Sequence, residues 1–236
     1  MTDLLHLDDP FLKTATGQVV ETGEGWVRVD PCLFYATGGG QPGDTGEITW
    51  DGGQARVTIC EKGPDGAPIL RLADGAAPDV GQSVEQRIDW DRRWGHMRVH
   101  TALHLLSVVV PLPVTGGAIS VEKGRLDFAM PDPPEDKDAI ERALNDLMAR
   151  DLAVGTDWIT EDELDANPGL VKTMSVQPPR GAGRIRLVRI GRGDGQVDLQ
   201  PCGGTHVSTT GQIGRLRLGK VEKKSATSRR ITLHLA

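Results

Sequence analysis

The feature of this sequence that most limits its fold is a change of pattern at residue 90. Residues 11–89 alternate short β-like runs with glycine-containing turns, whereas residues 91–110 contain no proline and no glycine beyond Gly95. Short strands joined by glycine turns are typical of a small barrel or sandwich, and an uninterrupted segment of this length is typical of a helix. The sequence therefore predicts two domains, residues 1–89 and 90–236.

Four segments predict the strands of the N-terminal domain. Residues 19–30 indicate strand, turn and strand, and residues 47–60 indicate a hairpin that turns at residues 51–53. Residues 68–73 and 83–89 add two more extended runs. We expect these strands to form a small β-barrel.

The second half mixes helices with strands. After the helix, residues 117–130 predict a hairpin that turns at Lys123-Gly124, and residues 160–163 have the spacing of a capping box that starts a short helix. Between them, one apolar stripe predicts another helix, with Ile140, Leu144, Leu147 and Met148 on one face. Beyond Arg184 the pattern returns to strands. The predicted class is therefore α+β, with an N-terminal β-barrel followed by a two-layer domain built on an antiparallel sheet.

The charge is unevenly distributed. The chain has 27 basic and 33 acidic residues, a net charge of −6, yet the segment from Arg180 to Arg230 contains twelve Lys or Arg and three acids. We call residues 180–230 the basic segment. A basic block beside an acidic body is a possible binding surface for a polyanion, and the alternative is a solvated sheet face with arginines alternating along its strands.

Composition excludes several other classes. The most apolar stretch, residues 105–114, contains two prolines and is shorter than the ~20 residues of a membrane helix. Three widely spaced cysteines, at 32, 60 and 202, do not suggest a disulfide framework, and the N-terminal residues lack the pattern of a signal peptide. We therefore expect a protein of the reducing cytoplasm.

Two short clusters contain the side chains best suited to bind a metal. His100 and His104 lie four residues apart, so a helix places both imidazoles on one face. Cys202 and His206 flank two glycines, which allow the backbone to fold tightly enough for these side chains to converge. A thiolate combined with imidazoles favours Zn²⁺ over magnesium or calcium.

Other interpretations of these clusters stay open at this point. Two histidines on a helix face can be partly buried without a ligand, Cys202 can be a small buried apolar residue, and His96 can replace His104 as a ligand. Four protein ligands close a tetrahedron, whereas a catalytic zinc usually keeps one position for water or substrate. A metal-free mechanism with Cys202 as nucleophile would leave the second histidine pair unexplained.

A glycine-rich loop at residues 36–46 also has two interpretations. It has five glycines in eleven residues and matches neither a Walker loop nor a dinucleotide-binding motif. It is either a long barrel loop with several positive φ angles or a place where the backbone approaches a nucleic-acid terminus, with Gln41 and Asp44 as hydrogen-bonding groups. The nearby aromatic residues Trp26, Phe34 and Tyr35 are either base-stacking groups or barrel core, and core is the simpler interpretation.

Four motifs in order resemble one known family. HTALHLL at 100–106, RLDF at 125–128 and DLQPCGGTHVSTTGQIG at 198–214 resemble the editing domain of alanyl-tRNA synthetases, and GGGQPGDTG at 38–46 resembles the glycine-rich motif of the same enzymes. Their order and spacing resemble the free-standing AlaX trans-editing proteins of the medium form. The resemblance covers about residues 10–235, and it departs from the family pattern at Gln200-Pro201 and at residues 223–228.

The resemblance implies a zinc-dependent hydrolase that deacylates mischarged Ser-tRNA(Ala), with Gly-tRNA(Ala) as a further candidate substrate. It implies one Zn²⁺ bound by His100, His104, Cys202 and His206. We expect water that is bound or activated by the zinc to be the attacking group, and we assign no protein residue as catalytic. Our candidate substrate contacts are Gly38, Gly39, Gly40, Gln41, Asp44, Ser120 and Thr205. The alternatives are a zinc-containing RNA-binding module without turnover and a metal-dependent hydrolase of another ester or amide.

Overall fold

The computed structural model describes residues 2–73, 75, 77–173 and 183–236. The chain divides into two compact units, Met1–Trp94 and Gly95–Ala236. Among the described residues, no helix is both long enough and apolar enough to span a membrane.

The first unit is a β-barrel. Its described residues form a short helix and six strands: α1 (Leu5–Asp8), β1 (Thr14–Gly23), β2 (Trp26–Asp30), β3 (Gly46–Trp50), β4 (Gly53–Lys62), β5 (Pro68–Leu72) and β6 (Ser83–Ile88). The strands are antiparallel in the order β1-β2-β5-β4-β3-β6, and the pairing of β6 with β1 closes the ring. The predicted barrel and both predicted hairpins are confirmed.

Side chains along the strands alternate between the barrel interior and its surface, and the inward-facing ones fill the interior. In β6, Val84, Gln86 and Ile88 are buried while the residues between them are exposed, as expected for a strand with one inward face. The one polar member of this row, Gln86, accepts a hydrogen bond from the Leu33 N–H at 2.9 Å and donates to the Pro31 carbonyl at 2.8 Å. Its burial therefore leaves no amide group without a partner.

The barrel unit also buries an ion pair. Arg93 and Asp44 have no exposed side-chain surface. The Arg93 Nε donates to both Asp44 carboxylate oxygens at 3.1 and 2.9 Å, and its two terminal nitrogens donate to the carbonyls of Pro10 and Leu33 at 2.9 and 3.0 Å. The backbone N–H of Tyr35 donates to the same carboxylate at 2.7 Å. Both charges are thus paired and fully hydrogen-bonded inside the unit.

The second unit combines helices with two sheets. Helix α2 (Trp90–Val109) begins in the last residues of the first unit and is followed by β7 (Val114–Ile119), β8 (Lys123–Ala129), α3 (Lys137–Ala149), β9 (Val154–Thr160), α4 (Glu161–Ala166), β10 (Arg184–Ile190), β11 (Asp198–Pro201), β12 (Leu216–Lys223) and β13 (Ser228–Leu235). Its described strands form a three-stranded sheet, β11-β10-β9, and a four-stranded sheet, β12-β13-β8-β7, with antiparallel pairing throughout. The predicted α+β class is confirmed.

Two local predictions in this unit have opposite outcomes. The capping box is confirmed, because Thr160 accepts from the Glu163 N–H and the Glu163 carboxylate accepts from the Thr160 N–H. The turn at Lys123-Gly124 is wrong: both residues lie in β8, and the turn precedes them. The glycine has a packing role instead, since a Cβ at Gly124 would lie 2.6 Å from Val99 Cγ1 of α2.

Candidate metal centre

Four side chains of the second unit converge on one point. The potential ligand atoms of His100, His104, Cys202 and His206 all lie within 4.8 Å of one another. The three imidazole centroids are 4.3 to 5.3 Å apart, and all three histidines are buried. The structure therefore brings together the same four residues that the two sequence clusters suggested. His96, also buried, is not a member of this group.

The local backbone explains how Cys202 and His206 reach the cluster. The Cys202 N–H donates to the Arg186 carbonyl at 3.1 Å, which holds Cys202 beside β10. The buried Arg186 guanidinium then donates from Nη1 to the carbonyls of Cys202 and Gly204 at 2.8 and 2.9 Å. These contacts tie the glycine-containing turn to the sheet, so that His206 points back toward Cys202.

The distances within the cluster suit a tetrahedral zinc site. Cys202 Sγ lies 3.5 Å from His100 Nε2 and 3.3 Å from His206 Nε2. Zinc bonds of ~2.3 Å to sulfur and ~2.0–2.1 Å to nitrogen at a tetrahedral angle place sulfur and nitrogen about 3.5 Å apart. The donor set, one thiolate and three imidazoles, is also one that Zn²⁺ accepts. The residues present therefore fit this ion.

Asp198 orients His104. The buried carboxylate lies 3.0 Å from His104 Nδ1 and also accepts from Lys172 Nζ and, at 2.8 Å, from Gln200 Nε2. Because an ionised carboxylate can only accept, Nδ1 must carry the proton, and Nε2 is the nitrogen that faces the cluster.

Thr101 fixes which ring nitrogen of His206 carries the proton. The Thr101 hydroxyl donates its only proton to the Met97 carbonyl at 2.8 Å, so its oxygen can only accept from its remaining neighbours. His206 Nδ1 lies 3.1 Å from this oxygen and must therefore carry a proton, which leaves the Nε2 lone pair directed at Cys202. One hydroxyl on α2 thus selects the tautomer of a histidine that lies about 100 residues further along the chain.

Electrostatics favours the binding forms of Cys202 and His206. Burial raises the pKa of the Cys202 thiol, but the His100 and His206 imidazoles outweigh burial and hold this pKa well below its ordinary value. Burial and the neighbouring His100 lower the pKa of His206 to about 3. A thiolate and a neutral imidazole are the forms that coordinate metals.

Hydrogen bonding between Asp198 and His104 shifts the pKa of each toward its charged form. Burial raises the pKa of Asp198, but the His104 hydrogen bond and the Lys172 charge outweigh it and lower this pKa to about 2. Burial lowers the pKa of His104, whereas its hydrogen bonds to Asp198 and Cys202 outweigh burial and raise this pKa to about 9. Metal binding at His104 therefore requires the release of its Nε2 proton.

The candidate substrate contacts lie in three places. Thr205 is buried inside the Cys202–His206 turn. Ser120 is exposed in the turn between β7 and β8, where its hydroxyl donates to the Lys123 carbonyl at 2.9 Å. The remaining candidates belong to the glycine-rich loop of the first unit.

Within that loop, the polar side chains and the glycines differ in exposure. Gln41 and Asp44 are fully buried, and Asp44 is bonded to Arg93 and Tyr35, so neither side chain is exposed for a contact with RNA. Gly39 and Gly40 are exposed and have positive φ angles of 57° and 81°, and Gly38 is half-buried. The backbone around residues 38–40 is the accessible part of the loop. Phe34 and Tyr35 are buried, in agreement with their simpler interpretation as core.

The basic segment is partly structural. Its described arginines include Arg186, bonded to the ligand turn, Arg189, paired with Asp157 at 2.7 Å, and Arg230, paired with Asp127 at 2.7 Å. Other basic side chains of the segment are exposed: Arg184, Arg192, Arg215, Arg217, Lys220, Lys223 and Lys224. Arg180 lies outside the described residues. Three of these arginines thus have partners within the fold, and for the exposed residues the binding of a polyanion stays a prediction.

Comparison with known proteins identifies related sequences. A family model described as tRNA synthetases class II (A) matches residues 10–92, and one described as the threonyl and alanyl tRNA synthetase second additional domain matches residues 185–232. The alanyl-tRNA editing protein AlaX-M of Saccharolobus solfataricus is 32% identical over 239 residues, which cover 98% of each chain. The AlaX-M protein of Methanosarcina mazei is 29% identical over 255 residues, which cover 100% of this chain and 97% of that protein.

Full-length ligases match as well. The alanine–tRNA ligase of Pyrobaculum calidifontis is 34% identical over 229 residues, which are 93% of this chain but 25% of the ligase. The chain therefore spans about a quarter of the length of such ligases, and its likeness to them is limited to that part.

Proposed function

Because this chain belongs to the AlaX-M family of alanyl-tRNA editing proteins, we propose that it hydrolyses alanine tRNA that carries the wrong amino acid, chiefly Ser-tRNA(Ala). The observation that carries the proposal is the convergence of His100, His104, Cys202 and His206 within 4.8 Å, which fits one Zn²⁺ per chain. The protein would then work on free tRNA in the cytoplasm.

The chemistry of alanine selection explains why such a hydrolase is needed. A pocket shaped for alanine cannot strongly reject serine, which is only one hydroxyl larger. A second site that hydrogen-bonds this hydroxyl discriminates in the opposite direction, because a bound alanyl group would leave buried polar atoms of the site unpaired.

The residues of the centre would hold the ion and orient the reacting ester. His100, His104, Cys202 and His206 bind the ion, while Asp198 and Thr101 keep the Nε2 lone pairs of His104 and His206 directed inward. When bound, zinc supplies Lewis-acid chemistry that polarises an ester carbonyl and lowers the pKa of water.

We assign the tRNA contacts to three features. Thr205, which lies between two ligands, and Ser120, which is exposed in the turn between β7 and β8, are the candidates to read the serine hydroxyl. Exposed basic side chains such as Lys223 and Lys224 would contact phosphates and make binding sensitive to salt. Gly38, Gly39 and Gly40 would allow the RNA to approach the loop backbone closely.

Deacylation of Ser-tRNA(Ala) and Ala-tRNA(Ala), each with and without a chelator, tests this proposal. We expect hydrolysis of the seryl ester to be faster than that of the alanyl ester, by as much as ~10⁴-fold if the site hydrogen-bonds the serine hydroxyl, and we expect both rates to be lost when zinc is removed. A size sieve would prefer the smaller alanine, so the direction of the preference is informative. Equal rates would favour an unselective ester hydrolase, and tRNA binding without turnover would identify an RNA-binding module.

A further inference from the structure

An aromatic side chain stands open to solvent on the three-stranded sheet. Trp158 of β9 is 41% exposed, which is unusual for so large an apolar residue. The guanidinium carbon of Arg184 lies 5.4 Å from the centre of its ring, within the range of a cation–π contact. An exposed aromatic face beside an arginine is the arrangement with which proteins stack on unpaired nucleobases.

Strand register places Trp158 in line with the candidate metal centre. Trp158 is the cross-strand partner of Arg186, and the Arg186 carbonyl accepts from the Cys202 N–H at 3.1 Å. Because neighbouring strands are ~4.8 Å apart, the backbone of Trp158 lies about 10 Å from that of Cys202.

The three residues of this row also share one face of the sheet. Residues directly opposite each other in antiparallel strands project to the same side, and the register Val188–Gln200 continues to Arg186 and Cys202. The opposite face carries Ile185 and Leu187, which pack with Leu164 of α4. Trp158 and Cys202 therefore stand on the same side, away from that apolar cluster.

Arg186 fixes the spacing between the aromatic ring and the ligands. It is buried between them and donates to the carbonyls of Cys202 and Gly204 at 2.8 and 2.9 Å. These contacts thus hold the backbone of Cys202 at a set spacing from that of Trp158.

We propose that Trp158, assisted by Arg184, is the stacking platform for the terminal nucleobase of the aminoacylated RNA. This inference rests on the proposed function, since it requires the ester to lie at the metal centre. In an aminoacyl-tRNA the ester and the last base are attached to the same ribose, so the base lies one sugar ring away from the ester. That span is of the same order as the two strand spacings that separate Trp158 from Cys202.

A pair of unreactive probes separates stacking from catalysis. The first is adenosine with a serylamino group in place of its 3′-hydroxyl, in which an amide replaces the ester, and the second is the same compound with hydrogen in place of adenine. Binding of each probe to the zinc-loaded protein is measured by calorimetry. We expect the wild-type protein to bind the adenine probe about 5- to 150-fold more tightly than the probe without a base.

Variants at Trp158 and Arg184 then locate the stacking surface. Trp158→Leu should abolish the preference for the adenine probe, Trp158→Phe should keep most of it, and Arg184→Gln should reduce it. Arg217→Gln, which removes an exposed arginine from β12 in the four-stranded sheet, is the control and should leave the preference unchanged. Unchanged zinc content and circular dichroism show that each variant is folded.

The outcomes distinguish this inference from the proposed function. If Trp158→Leu still prefers the adenine probe, or if the wild-type protein shows no such preference, then Trp158 is not the stacking platform. This conclusion holds even if the protein hydrolyses Ser-tRNA(Ala). If the preference is present and lost in Trp158→Leu while Ser-tRNA(Ala) is not hydrolysed, the platform stands and the proposed function fails.

Discussion

The two units of this chain both bury polar side chains. In the first unit the buried donors are matched by acceptors, whereas in the second unit several buried electron-pair donors face one another. In the barrel unit, Arg93 donates to a carboxylate and to two backbone carbonyls, so the charges of the network balance within it. In the second unit, the outer nitrogens of His104 and His206 are bonded to Asp198 and Thr101, while the inner nitrogens of His100 and His206 face the sulfur of Cys202.

This difference separates a structural network from a binding site. Buried donors matched by acceptors stabilise one conformation and have no further capacity to bind a ligand. Electron-pair donors directed at one another are mutually repulsive unless a proton or a cation lies between them. The comparison thus assigns Arg93 and Asp44 to the fold, and it supports the proposal that the four convergent side chains bind a metal.

The largest effect is expected from removing a ligand. Cys202→Ala should lose bound zinc and deacylation together, since it deletes the one sulfur of the donor set. Zinc content by elemental analysis and Ser-tRNA(Ala) hydrolysis are the measurements, with circular dichroism to check the fold. Cys60→Ala, which removes a buried thiol from the barrel unit, is the matched control and should keep its zinc. A Cys202→Ala protein with stoichiometric zinc would mean that the ligand set is wrong and that His96 must be tested next.

Breaking the hydrogen-bond network of Arg93 and Asp44 should lower the stability of the barrel unit and leave the bound zinc in place. Arg93→Met strands the Asp44 carboxylate in the barrel interior and should destabilise this unit by about 3–5 kcal/mol. Trp158 is the one tryptophan outside the first unit, so urea unfolding followed by fluorescence in a Trp158→Phe background reports on the barrel alone. Arg56→Met, at an exposed position of β4, is the control. If Arg93→Met lowers the free energy of unfolding by less than ~1 kcal/mol, the assignment of this ion pair to the fold is wrong.

An intermediate effect is expected from the outer hydrogen bonds of the centre. Asp198→Asn and Thr101→Val should each weaken zinc affinity by roughly 10- to 100-fold, because they loosen the orientation of His104 and His206 without removing a ligand. Competition with a chromophoric chelator measures this change. Thr101→Ser keeps the accepting oxygen and should restore most of the affinity. If Thr101→Val and Thr101→Ser bind zinc with the same affinity, the Thr101 hydroxyl does not select the tautomer of His206.

The smallest effect concerns a half-buried ion pair. Hydrogen bonds from Arg230 at 2.7 and 2.9 Å lower the pKa of Asp127. A lowered folded-state pKa stabilises the fold above the unfolded value of ~3.9, and this contribution disappears as the pH falls through the folded value. Urea unfolding should therefore show Asp127→Asn to be less stable than wild type at neutral pH by at most ~1 kcal/mol.

The difference between these two proteins should vanish in acid, and the exposed Asp132→Asn variant should show no such pH-dependent loss. A difference that persists below the folded-state pKa of Asp127 would mean that Asp127 acts through packing rather than charge.

Local signals in the sequence are sufficient for the strands of the barrel and for each ligand pair. The hairpins follow from turn residues such as Asp51-Gly52, and the spacing of four residues puts His100 and His104 on one helix face. The turn at Lys123-Gly124 was predicted wrongly because glycine signals a turn locally, whereas Gly124 is required by its contact with Val99.

The meeting of the two ligand pairs depends on contacts that no local pattern encodes. Closure of the barrel through β1 and β6, and the approach of Cys202 to His104, both join segments far apart in sequence. Asp198 had a usable signal that sequence analysis missed: it begins β11 four residues before Cys202, and because the register of β11 with β10 continues to Cys202, both residues lie on the same face. Thr101 had none, since its role depends on where His206 lies.

The long separation between the ligand pairs also bears on how the protein is made. About 100 residues lie between His104 and Cys202, so a ribosome must complete most of the second unit before the four ligands can meet. Until then, each pair offers an ion two ligands at most. Joining the pairs restricts a loop whose closure in an unfolded chain costs on the order of 4–5 kcal/mol. Loading of the centre is thus expected as a late step of folding, one that locks the ends of this loop together.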